Sequence, residues 1–564
     1  MTRAQPSYVC GTSERPLLYQ TVGDTLRIAA ERWPEREALV VRHQRLRLSW
    51  RELDARVDQL ARAFLAYGLQ PGDRVGIWSP NNSEWVLTQF ATARAGLILV
   101  NINPAYRAVE LEFSVRKVGC RALLLAPAFK SSDYVGVIRS LVRPDELAGG
   151  GRLSSSRFPN LELLVQLGRA EIPGFLSFAS LLEAAPADRS EHLERVGRSL
   201  DPDQAVNIQF TSGTTGLPKA ATLSHFNVVN NGYFVGEGMR LGPEDRLCIP
   251  VPLYHCFGMV LGVLAAVTHG ATMVFPAEAF DAGTVLQAVA EERCTALHGV
   301  PTMFVDELDH PKLRSFNLTS LRTGIMAGAP CPIAIMRRVI EEMNLREITI
   351  CYGMTETSPV SFQSRVDDPV EKRVTTVGRI HPHVQVKLVD TEGRVVPRGT
   401  AGELLTRGYS VMQGYWDDPE LTAEVLDEAG WMHTGDLAVL DADGYCNLVG
   451  RSKDLIIRGG ENIYPREVEE FLYRHPKVRD VAVVGVPDAK YGEAVCAVII
   501  LRAGASAEGA DLVEFCRGQI AHYKIPRYVH FVSEFPLTVT GKVQKYLLRE
   551  QMQNILGLRA AETA

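Results

Sequence analysis

The chain has 564 residues, which at about 100–200 residues per domain predicts two to four domains. Apolar residues make up 46% of it and charged residues 22%, an ordinary globular balance that excludes disordered, collagen-like and coiled-coil proteins. The formal net charge of −6 gives no electrostatic reason to expect a nucleic-acid partner.

Ten cysteines are scattered along the chain without a CxxC pair, so the sequence predicts neither a zinc site nor a dithiol redox motif. Most of them lie in apolar runs, which is typical of reduced thiols in a reducing compartment. The N-terminus has no apolar core of signal-peptide length. We therefore expect a cytoplasmic protein, with an organelle matrix as the alternative. The sequence does not indicate the oligomeric state.

The first 200 residues alternate between helical and strand patterns, which favours a parallel sheet covered by helices. Ser49 and Glu52 form a capping box that predicts a helix ending near Gly68. The expected strands lie at Val75–Trp78, Gly96–Val100 and Ala122–Leu125. Residues 143–156, rich in glycine and serine, predict a flexible surface loop.

The stretch between Arg246 and Glu278 carries no formal charge and has the length of a membrane span. Among its residues are Pro250, Pro252, His255, His269 and Gly270. We therefore predict a loop, a buried helix and a strand, and no transmembrane segment.

A second change of pattern lies near Gly450. A turn-rich β stretch precedes it, and a small α+β unit of about a hundred residues follows, large enough to form its own domain. The expected elements of that unit are helices at Glu467–Tyr473 and Asp511–Cys516 and strands at Val481–Val486 and Ala494–Leu501.

The most informative segment joins two predicted strands, Val206–Phe210 and Ala220–Leu223. It consists of Thr211, Ser212, Gly213, Thr214, Thr215, Gly216, Leu217, Pro218 and Lys219. Glycines let the backbone turn its N–H groups toward a ligand, hydroxyl groups add donors and the lysine adds a cation, which together suit a polyphosphate. The spacing matches neither a Walker loop nor GxGxxG. The alternative is a surface hairpin rich in serine, threonine and glycine.

This segment resembles the signature loop of the adenylate-forming (AMP-binding) superfamily, which comprises acyl-CoA synthetases, luciferases and peptide-synthetase adenylation domains. Further segments similar to the family's motifs follow in the family's order: PLYHCFG (252–258), AGAP (327–330), YGMTE (352–356), TGD (434–436), GRSKDLIIRGGENIYPREVE (450–469) and TGK (540–542). The resemblance is greatest to fatty acyl-CoA synthetases, in particular the type called acyl-CoA synthetase family member 2, and it extends into the N-terminal half.

The resemblance implies an α/β fold with a large N-terminal domain of helix-flanked sheets plus a β-subdomain, and a small mobile α+β C-terminal domain. The expected domains are residues 1–450 and 451–564, with a hinge near Lys453. The implied activity is ATP-dependent ligation of a fatty acid to coenzyme A through an acyl-adenylate, with Mg²⁺ as cofactor. Gly353 stands where acetate-specific relatives carry tryptophan, which favours a longer acid, of medium chain length first.

Three alternative functions stay open at this point. The first is an adenylating enzyme that loads an acyl group onto a carrier protein. The second is a luciferase-type oxygenation of the adenylate, and the third is a catalytically inactive nucleotide- or acyl-binding protein. The lysine of TGK and the glutamate of YGMTE are both intact, which speaks against the third.

For the nucleotide, the resemblance assigns Mg²⁺ to Glu356, since magnesium takes one or two carboxylates and completes its shell with phosphate and water. It gives Thr355 a hydrogen bond to phosphate and places Asp436 at the ribose hydroxyls, with Arg451 at ribose or phosphate. Tyr352 is expected beside the adenine. The opposite wall is expected to comprise Gly328, Ala329 and Pro330.

For the chemistry, Lys542 is expected to neutralise the carboxylate and the α-phosphate as they converge. The family string PKTxSGK departs here, because Leu537 replaces a lysine and Thr540 a serine. His255 is expected to form a wall of the carboxylate site or a gate to the acyl tunnel; a satisfied core histidine is the alternative. The acyl pocket is expected near His255–Val260 and His298–Pro301.

For the second half-reaction, Lys453 holds the position of the family's hinge. The glycine-rich loop with Gly459 and Gly460 is expected to line a pantetheine channel after Lys542 withdraws. Lys524 and Arg527 are candidates for the 3′-phosphate of CoA.

Overall fold

The computed structural model of the chain describes residues 5–168, 171–185, 190–211, 218–329, 331–459, 461–488, 490–538 and 542–558. Its α-helices are α1 Val22–Arg32, α2 Trp50–Ala66, α3 Ser83–Arg94, α4 Ala108–Lys117, α5 Tyr134–Leu141, α6 Phe178–Glu183, α7 Ser190–Ser199, α8 His225–Gly238, α9 Ala265–His269, α10 Ala282–Glu292, α11 Pro301–Leu308, α12 Ile333–Glu342, α13 Val370–Thr375, α14 Pro419–Val425, α15 Pro465–Leu472, α16 Gly509–Cys516 and α17 Lys545–Leu556.

The strands are β1 Tyr8–Cys10, β2 Glu37–Val41, β3 Leu46–Ser49, β4 Arg74–Trp78, β5 Ile98–Ile102, β6 Cys120–Leu125, β7 Ala128–Phe129, β8 Ser132–Asp133, β9 Leu163–Gln166, β10 Leu176–Ser177, β11 Ala205–Thr211, β12 Lys219–Ser224, β13 Arg246–Cys248, β14 Thr272–Phe275, β15 Ala296–Gly299, β16 Thr323–Met326, β17 Glu347–Gly353, β18 Val360–Gln363, β19 Arg379–Ile380, β20 Val384–Val389, β21 Gly402–Gly408, β22 Gly414–Tyr415, β23 Met432–Leu440, β24 Cys446–Arg451, β25 Ile456–Arg458, β26 Glu461–Ile463, β27 Val478–Asp488, β28 Gly492–Leu501 and β29 Tyr528–Phe531.

Two large sheets dominate the N-terminal part, and each is mostly parallel. The first has the order β10-β9-β6-β4-β5-β11-β12-β22, parallel from β10 to β11. The second has the order β19-β18-β17-β16-β15-β13-β14-β2-β3, parallel from β17 to β2. In each sheet the chain turns back antiparallel after the last parallel strand, at β11–β12 and at β17–β18. Because ligands bind at the carboxyl ends of parallel strands, these two hairpins mark the candidate site.

Two smaller sheets follow. The antiparallel sheet β1-β20-β21-β23-β24 is the expected β-subdomain, and its last strand ends at Arg451. From Ile456 onward, strands β25–β29 form one sheet with helices α15–α17, and we call this part the C-terminal unit. The mixed α/β architecture with a small α+β unit at its end confirms the expected fold class.

The elements predicted from local patterns are confirmed with small shifts at their ends. Ser49 caps α2 by accepting from the backbone N–H of Glu52, whose carboxylate accepts from the N–H of Ser49 in return. The helix ends at Ala66, and Gly68 follows with φ +95°, a left-handed conformation that glycine adopts without strain. The strands predicted at 75–78, 96–100 and 122–125 are β4, β5 and β6 of the first sheet.

The uncharged stretch after Arg246 is buried core. It contributes β13, a π-helix at Phe257–Leu264 that continues into α9, and β14, and every residue of the π-helix is buried. Its side chains pack between helices of both large sheets in one cluster. Within the described ranges, none of the helices combines the length and the apolarity that a membrane crossing requires.

Residues 143–156, predicted as a flexible surface loop, lie mostly at the surface, but part of the segment is fixed by apolar contacts. Leu147 and Leu153 face each other in an isolated β-bridge, and Leu153 is buried in the cluster under β6 and β9. Gly150 and Gly151 have φ +70° and +75° and let the chain reverse between them. The glycines therefore serve a tight turn that inserts apolar side chains, and their number gave a misleading signal of disorder.

All ten cysteines carry free thiols, and all except Cys10 are buried. Burial raises the pKa of Cys120 and of Cys256 to about 12, so both stay protonated at neutral pH. Protonated thiols in apolar surroundings agree with their prediction as small core residues.

Candidate active site

The two hairpins meet at Glu356. This residue lies in the turn after β17, and only 6% of its surface is exposed. Its Oε1 accepts a hydrogen bond from Thr211 Oγ1 at 3.3 Å, at the end of β11, and another from the hydroxyl of Tyr415 at 2.9 Å. The structure thus brings the start of the 211–219 segment to the carboxylate of the YGMTE motif. Residues 212–217 of that segment lie outside the described residues.

A second group is centred on Asp436 in β23. Its two carboxylate oxygens accept from the hydroxyl of Tyr352 at 2.7 Å and from Nε of Arg451 at 2.9 Å. Asp436 and Tyr352 are buried, and burial together with the neighbouring carboxylate raises the pKa of the Tyr352 phenol. Burial acts to lower the pKa of Arg451, but Asp436, Tyr352 and Asp454 together outweigh it and the pKa is raised. The three side chains form a fixed polar wall built from β17, β23 and β24.

The segment expected on the other side of the adenine lies next to Tyr352. Since β16 runs parallel to β17 with Met326 opposite Ile350, residues after β16 emerge beside residues after 350. Gly328 there has φ +89°. Gly328 and Ala329 therefore follow the strand that pairs with the one carrying Tyr352, Pro330 lies outside the described residues, and the adenine wall stays a prediction.

Lys542 reaches this wall from the C-terminal unit. Two hydrogen bonds hold its backbone: its N–H donates to Thr538 Oγ1 at 3.0 Å, and the N–H of Thr538 donates to its carbonyl at 2.7 Å. Burial first and the Arg451 cation second lower the pKa of the Lys542 ammonium to about 8, while Asp436 acts in the opposite direction. The described chain therefore holds its predicted catalytic lysine beside the predicted ribose ligand.

Further cations face the same space. Burial lowers the pKa of Lys453, and its charge also interacts with Arg451, Asp436 and Lys219. The Lys219 ammonium lies 5.3 Å from the centre of the Tyr415 ring, above the hairpin that holds Glu356. The cationic side chains around this space outnumber the carboxylates there. A polyanion is the ligand that offsets such an arrangement.

His255 lies at the edge of this space. Its Nδ1 accepts from the backbone N–H of Phe257 at 3.1 Å, so the proton of the neutral ring is assigned to Nε2. Burial lowers the pKa of His255 to about 4, and the Lys542 cation adds to this. The imidazole is therefore neutral at physiological pH, which suits a wall residue and leaves it no charge to offer an anion.

Sequence reasoning missed the residues that hold the 251–254 segment, which leads to His255. The amide of Asn81 donates to the carbonyl of Val251 at 3.0 Å and accepts from the N–H of Leu253 at 2.8 Å. Asn101 donates to the carbonyl of Tyr254 at 2.9 Å. Asn101 lies near the carboxyl end of β5, and an asparagine in an apolar strand is a signal that could have found it, whereas Asn81 lies beyond the end of β4 and gives no such signal. Tyr415, the partner of Glu356, lies in no motif.

The two segments expected to line an acyl pocket are in contact. The rings of Phe257 and His298 are 5.4 Å apart, and His298 Nε2 lies 2.9 Å from the carbonyl of Leu261. A Cβ on Gly299 would stand 2.8 Å from the Phe304 ring, so the backbone is closely packed against an aromatic side chain. The prediction that residues 255–260 and 298–301 lie together is confirmed; their contact with an acid stays a prediction.

Gly353 has a steric role that the sequence did not reveal. A Cβ at this position would stand 1.6 Å from the carbonyl oxygen of Pro359, across the β17–β18 hairpin. Any side chain here requires residues 354–359 to move. The inference from Gly353 to a longer acid therefore stays a prediction, because the hairpin alone already demands a glycine.

The residues expected to meet CoA lie in the C-terminal unit. Gly459 has φ +61°, and its N–H donates to the carbonyl of Tyr491 at 2.8 Å, whereas Gly460 lies outside the described residues. Lys524 is paired with Glu467 at 2.5 Å, and Arg527 is paired with Asp488. A phosphate at either cation would have to replace or share these carboxylates.

Comparison with known proteins agrees with this site. The chain matches the family model "AMP-binding enzyme" over residues 26–416 and the model "AMP-binding enzyme C-terminal domain" over residues 467–542. It is 47% identical to the medium-chain acyl-CoA ligase ACSF2, mitochondrial, of Danio rerio and 44% identical to that of Homo sapiens, with 98% of this chain and 91% of each relative covered.

Solved structures give the same result. The anthranilate CoA ligase AuaEII in complex with anthranoyl-AMP superimposes with a TM-score of 0.85 at 28% identity, covering 97% of this chain and 99% of that one. ATP-bound MatB from Rhodopseudomonas palustris superimposes with a TM-score of 0.79 at 28% identity, covering 94% and 99%. The chain belongs to the AMP-binding enzyme family.

Proposed function

We propose that the protein is an AMP-forming acid–thiol ligase for medium-chain fatty acids. A carboxylate oxygen attacks the α-phosphorus of ATP, the bond to diphosphate breaks, and an acyl-adenylate forms. The sulfur of CoA then attacks the acyl carbon, the bond to AMP breaks, and the thiol proton is lost to solvent. The observation that carries the proposal is the position of Lys542 beside Asp436 and Arg451, at the edge where both parallel sheets end.

The cations around this edge support a triphosphate as the first substrate. Lys219 and Lys453 would face the phosphates, and Asp436 would accept from the ribose hydroxyls, since a carboxylate is a strong acceptor for a vicinal diol. Arg451 already holds one oxygen of the Asp436 carboxylate at 2.9 Å, so the carboxylate is oriented before the nucleotide arrives. Tyr352 would lie beside the adenine.

Glu356 fits a magnesium ion that is bound together with ATP. A single buried carboxylate with hydroxyl groups around it is the donor set that Mg²⁺ uses when phosphate oxygens complete its shell. Bound there, the ion would neutralise charge on the phosphate oxygens. The role of the chain is to hold the carboxylate in place through Thr211 and Tyr415, and Thr355 would bind a phosphate oxygen beside it.

Lys542 would bring two anions together. The fatty acid is already ionised at neutral pH, so the first step needs no general base, and it needs a cation where carboxylate and α-phosphate meet. His255 would form the wall of the carboxylate site as a neutral ring. Its low pKa supports this assignment, because a group that titrates near 4 is uncharged whenever the enzyme works near neutrality.

The second half-reaction requires Lys542 to leave. We place the division of the chain at 450/451 with the hinge at Lys453, which lies in the turn directly after β24. Rotation about this turn would carry Lys542 out and bring the loop of Gly459 toward the adenylate. One site would therefore catalyse both steps in two arrangements of the C-terminal unit, because the thiol must approach the adenylate from the position that Lys542 occupied.

The preference for acids of medium chain length is the most specific part of the proposal. It is supported by the names of relatives with 44–47% identity. The ring contact between Phe257 and His298 shows where the two segments expected to line the acyl pocket meet. A pocket between them would be bounded by side chains that are mainly apolar.

Two measurements test the proposal. Diphosphate release from ATP is followed with acids from acetate to palmitate and with benzoate, and AMP release is then followed with free CoA or with a carrier protein as acceptor. We expect maximal rates with medium-chain acids and free CoA. Lys542→Ala should abolish adenylate formation and preserve thioester formation from synthetic acyl-AMP. A wild-type protein that releases no diphosphate with any acid and Mg²⁺ would refute the proposal.

A further inference from the structure

A cleft on the α8 side of the second sheet takes no part in the site described above. It has a volume of about 240 Å³, far more than one water molecule needs, and lies between the end of α8, the turn after β18 and strand β19. The rings of Tyr352 in β17 and Phe362 in β18 are 6.3 Å apart on the face that holds Asp436. Gln363 follows Phe362 and points to the opposite face, where its amide donates to the carbonyl of Val235 in α8 at 3.4 Å. The sheet therefore separates the cleft from Tyr352 and Asp436.

Among the described residues, four arginines and two carboxylates line this cleft. Arg15 lies 3.5 Å from Glu237, and Arg240 lies 3.1 Å from Asp367. Both arginines are more than half exposed, so these ion pairs are weak and their partners can rearrange. The two carboxylates balance at most two of the four guanidinium charges. The cleft is therefore positive, although the whole chain has a net charge of −6.

The other two arginines of the cleft, Arg365 and Arg379, are not balanced by a carboxylate. In the part of the chain that the structure describes, neither forms an ion pair. The Nε of Arg379 is buried and has no hydrogen-bond partner there, and the guanidinium lies 4.3 Å from the centre of the Tyr445 ring. A buried N–H group without an acceptor is destabilising. The arrangement is therefore that of a donor waiting for an acceptor from outside the chain.

His381 adds a second unpartnered polar atom to the cleft, and only 3% of its surface is exposed. Its Nε2 lies 2.9 Å from Oε1 of Gln363, whose amide nitrogen donates to the carbonyl of Val235 and to Thr349 Oγ1. We therefore assign the ring proton to Nε2. Nδ1 is then an acceptor, and no described residue donates to it. Burial lowers the pKa of His381 to about 3, and the Arg365 cation adds to this, so the ring is neutral at physiological pH.

We propose that this cleft is a second anion site, separate from that of the nucleotide, and that it binds a phosphate group. A guanidinium presents paired N–H donors that match two phosphate oxygens, and the buried Nε of Arg379 offers such a donor. At neutral pH both ionic forms of inorganic phosphate keep a hydroxyl group, which would donate to Nδ1 of His381. Sulfate has the same shape but no hydroxyl group, so it would leave this nitrogen unpaired.

Two sources share this chemistry. One is inorganic phosphate, and the other is diphosphate, which the proposed reaction releases. The inference goes beyond the proposed function and does not depend on it, because the cleft and its unpartnered groups are present whatever reaction the chain catalyses.

Titration calorimetry on the full-length chain tests the proposal. Inorganic phosphate, diphosphate and sulfate are titrated at pH 7 and at one ionic strength, because salt screens the contacts of exposed charges. We expect phosphate to bind about tenfold more tightly than sulfate, since one hydrogen bond distinguishes the two anions in this cleft. Tighter binding of diphosphate than of phosphate would assign the site to the released product. Equal or weaker binding of diphosphate would assign it to inorganic phosphate.

Variants of the two unbalanced arginines locate the binding. Arg365→Ala removes an exposed cation and should weaken phosphate binding by about 2–5-fold. Arg379→Met removes the buried donor and should weaken it by about 10–100-fold. Arg314→Ala is the matched control, because Arg314 is exposed, lies outside the cleft and forms no ion pair with a described residue. Its affinity for phosphate should equal that of the wild type. If urea denaturation shows that Arg379→Met is unfolded, the exposed Arg365 still decides the outcome.

A second measurement distinguishes this cleft from the nucleotide site, which would bind the same anions. The ring signals of histidine-labelled protein are recorded by NMR, and the signal of His381 is assigned with His381→Gln. Phosphate should shift this signal in the wild type and in Arg314→Ala, and sulfate should shift it less. An unshifted His381 signal, or equal phosphate affinity in the wild type, Arg365→Ala and Arg379→Met, would overturn the proposal. Absence of diphosphate release in the ligation assay would refute the proposed function alone, since these measurements need neither an acid nor CoA.

Discussion

The charge of Lys542 should control adenylation in the alkaline range. Its pKa is lowered to about 8, with burial as the main cause and Arg451 as the second. A group with this pKa is about 90% charged at pH 7 and about 10% charged at pH 9, whereas an ordinary lysine keeps about 95% of its charge at pH 9. If the ammonium neutralises the reacting anions, kcat/KM for adenylation should fall about tenfold between pH 7 and pH 9.

The assay is diphosphate release in the absence of CoA, so that the thiol of CoA does not titrate in the same range. The value of kcat/KM is used because it reports groups of the free enzyme. Lys542→Arg is the control, since a guanidinium keeps its charge above pH 12. Its rate will be lower, but its profile should be flat from pH 7 to pH 9. A flat wild-type profile, or an equal fall in the arginine variant, would refute the reasoning.

Three further predictions concern neighbouring residues. His255→Gln should leave the shape of the pH profile between 6 and 8 unchanged, because the pKa of His255 is about 4; loss of a wild-type limb near pH 6.5 in this variant would contradict the neutral assignment. Tyr415→Phe removes the 2.9 Å hydrogen bond to Glu356 and should raise the Mg²⁺ concentration for half-maximal diphosphate release by about tenfold, and an unchanged requirement would contradict that link. Asn81→Ala leaves two main-chain groups of the 251–253 segment unpaired and should lower the free energy of unfolding by about 2–4 kcal/mol, as measured by urea denaturation. An unchanged denaturation midpoint would contradict the stabilising role of these two hydrogen bonds.

The local part of the fold could be predicted from the sequence, because its signals are local. The capping box at Ser49 fixes the start of α2, and the apolar runs around 75–78 and 122–125 become central strands. The order of the strands could not be predicted. The strands β2 and β14 are neighbours although more than two hundred residues separate them, and no pattern within either strand encodes that pairing.

The same distinction applies to the site. Motif resemblance indicated Glu356, Asp436 and Lys542, and the structure brings the last two together across an interface. The residues that hold Glu356 and the 251–253 segment were not found, because their function is to satisfy a particular partner. Tyr415 contacts Glu356 and Asn81 contacts the 251–253 segment only once the chain has folded, and neither residue type is unusual where it stands in the sequence.

The close contact between Gly353 and the carbonyl of Pro359 has a consequence for altering which acids are accepted. A bulky replacement at this glycine, intended to shorten the cavity, would push on the turn that carries Glu356. Selectivity and metal affinity would then change together. Engineering a narrower substrate range is therefore better begun at Phe257 or Phe304, which lie on elements other than the turn that carries Glu356.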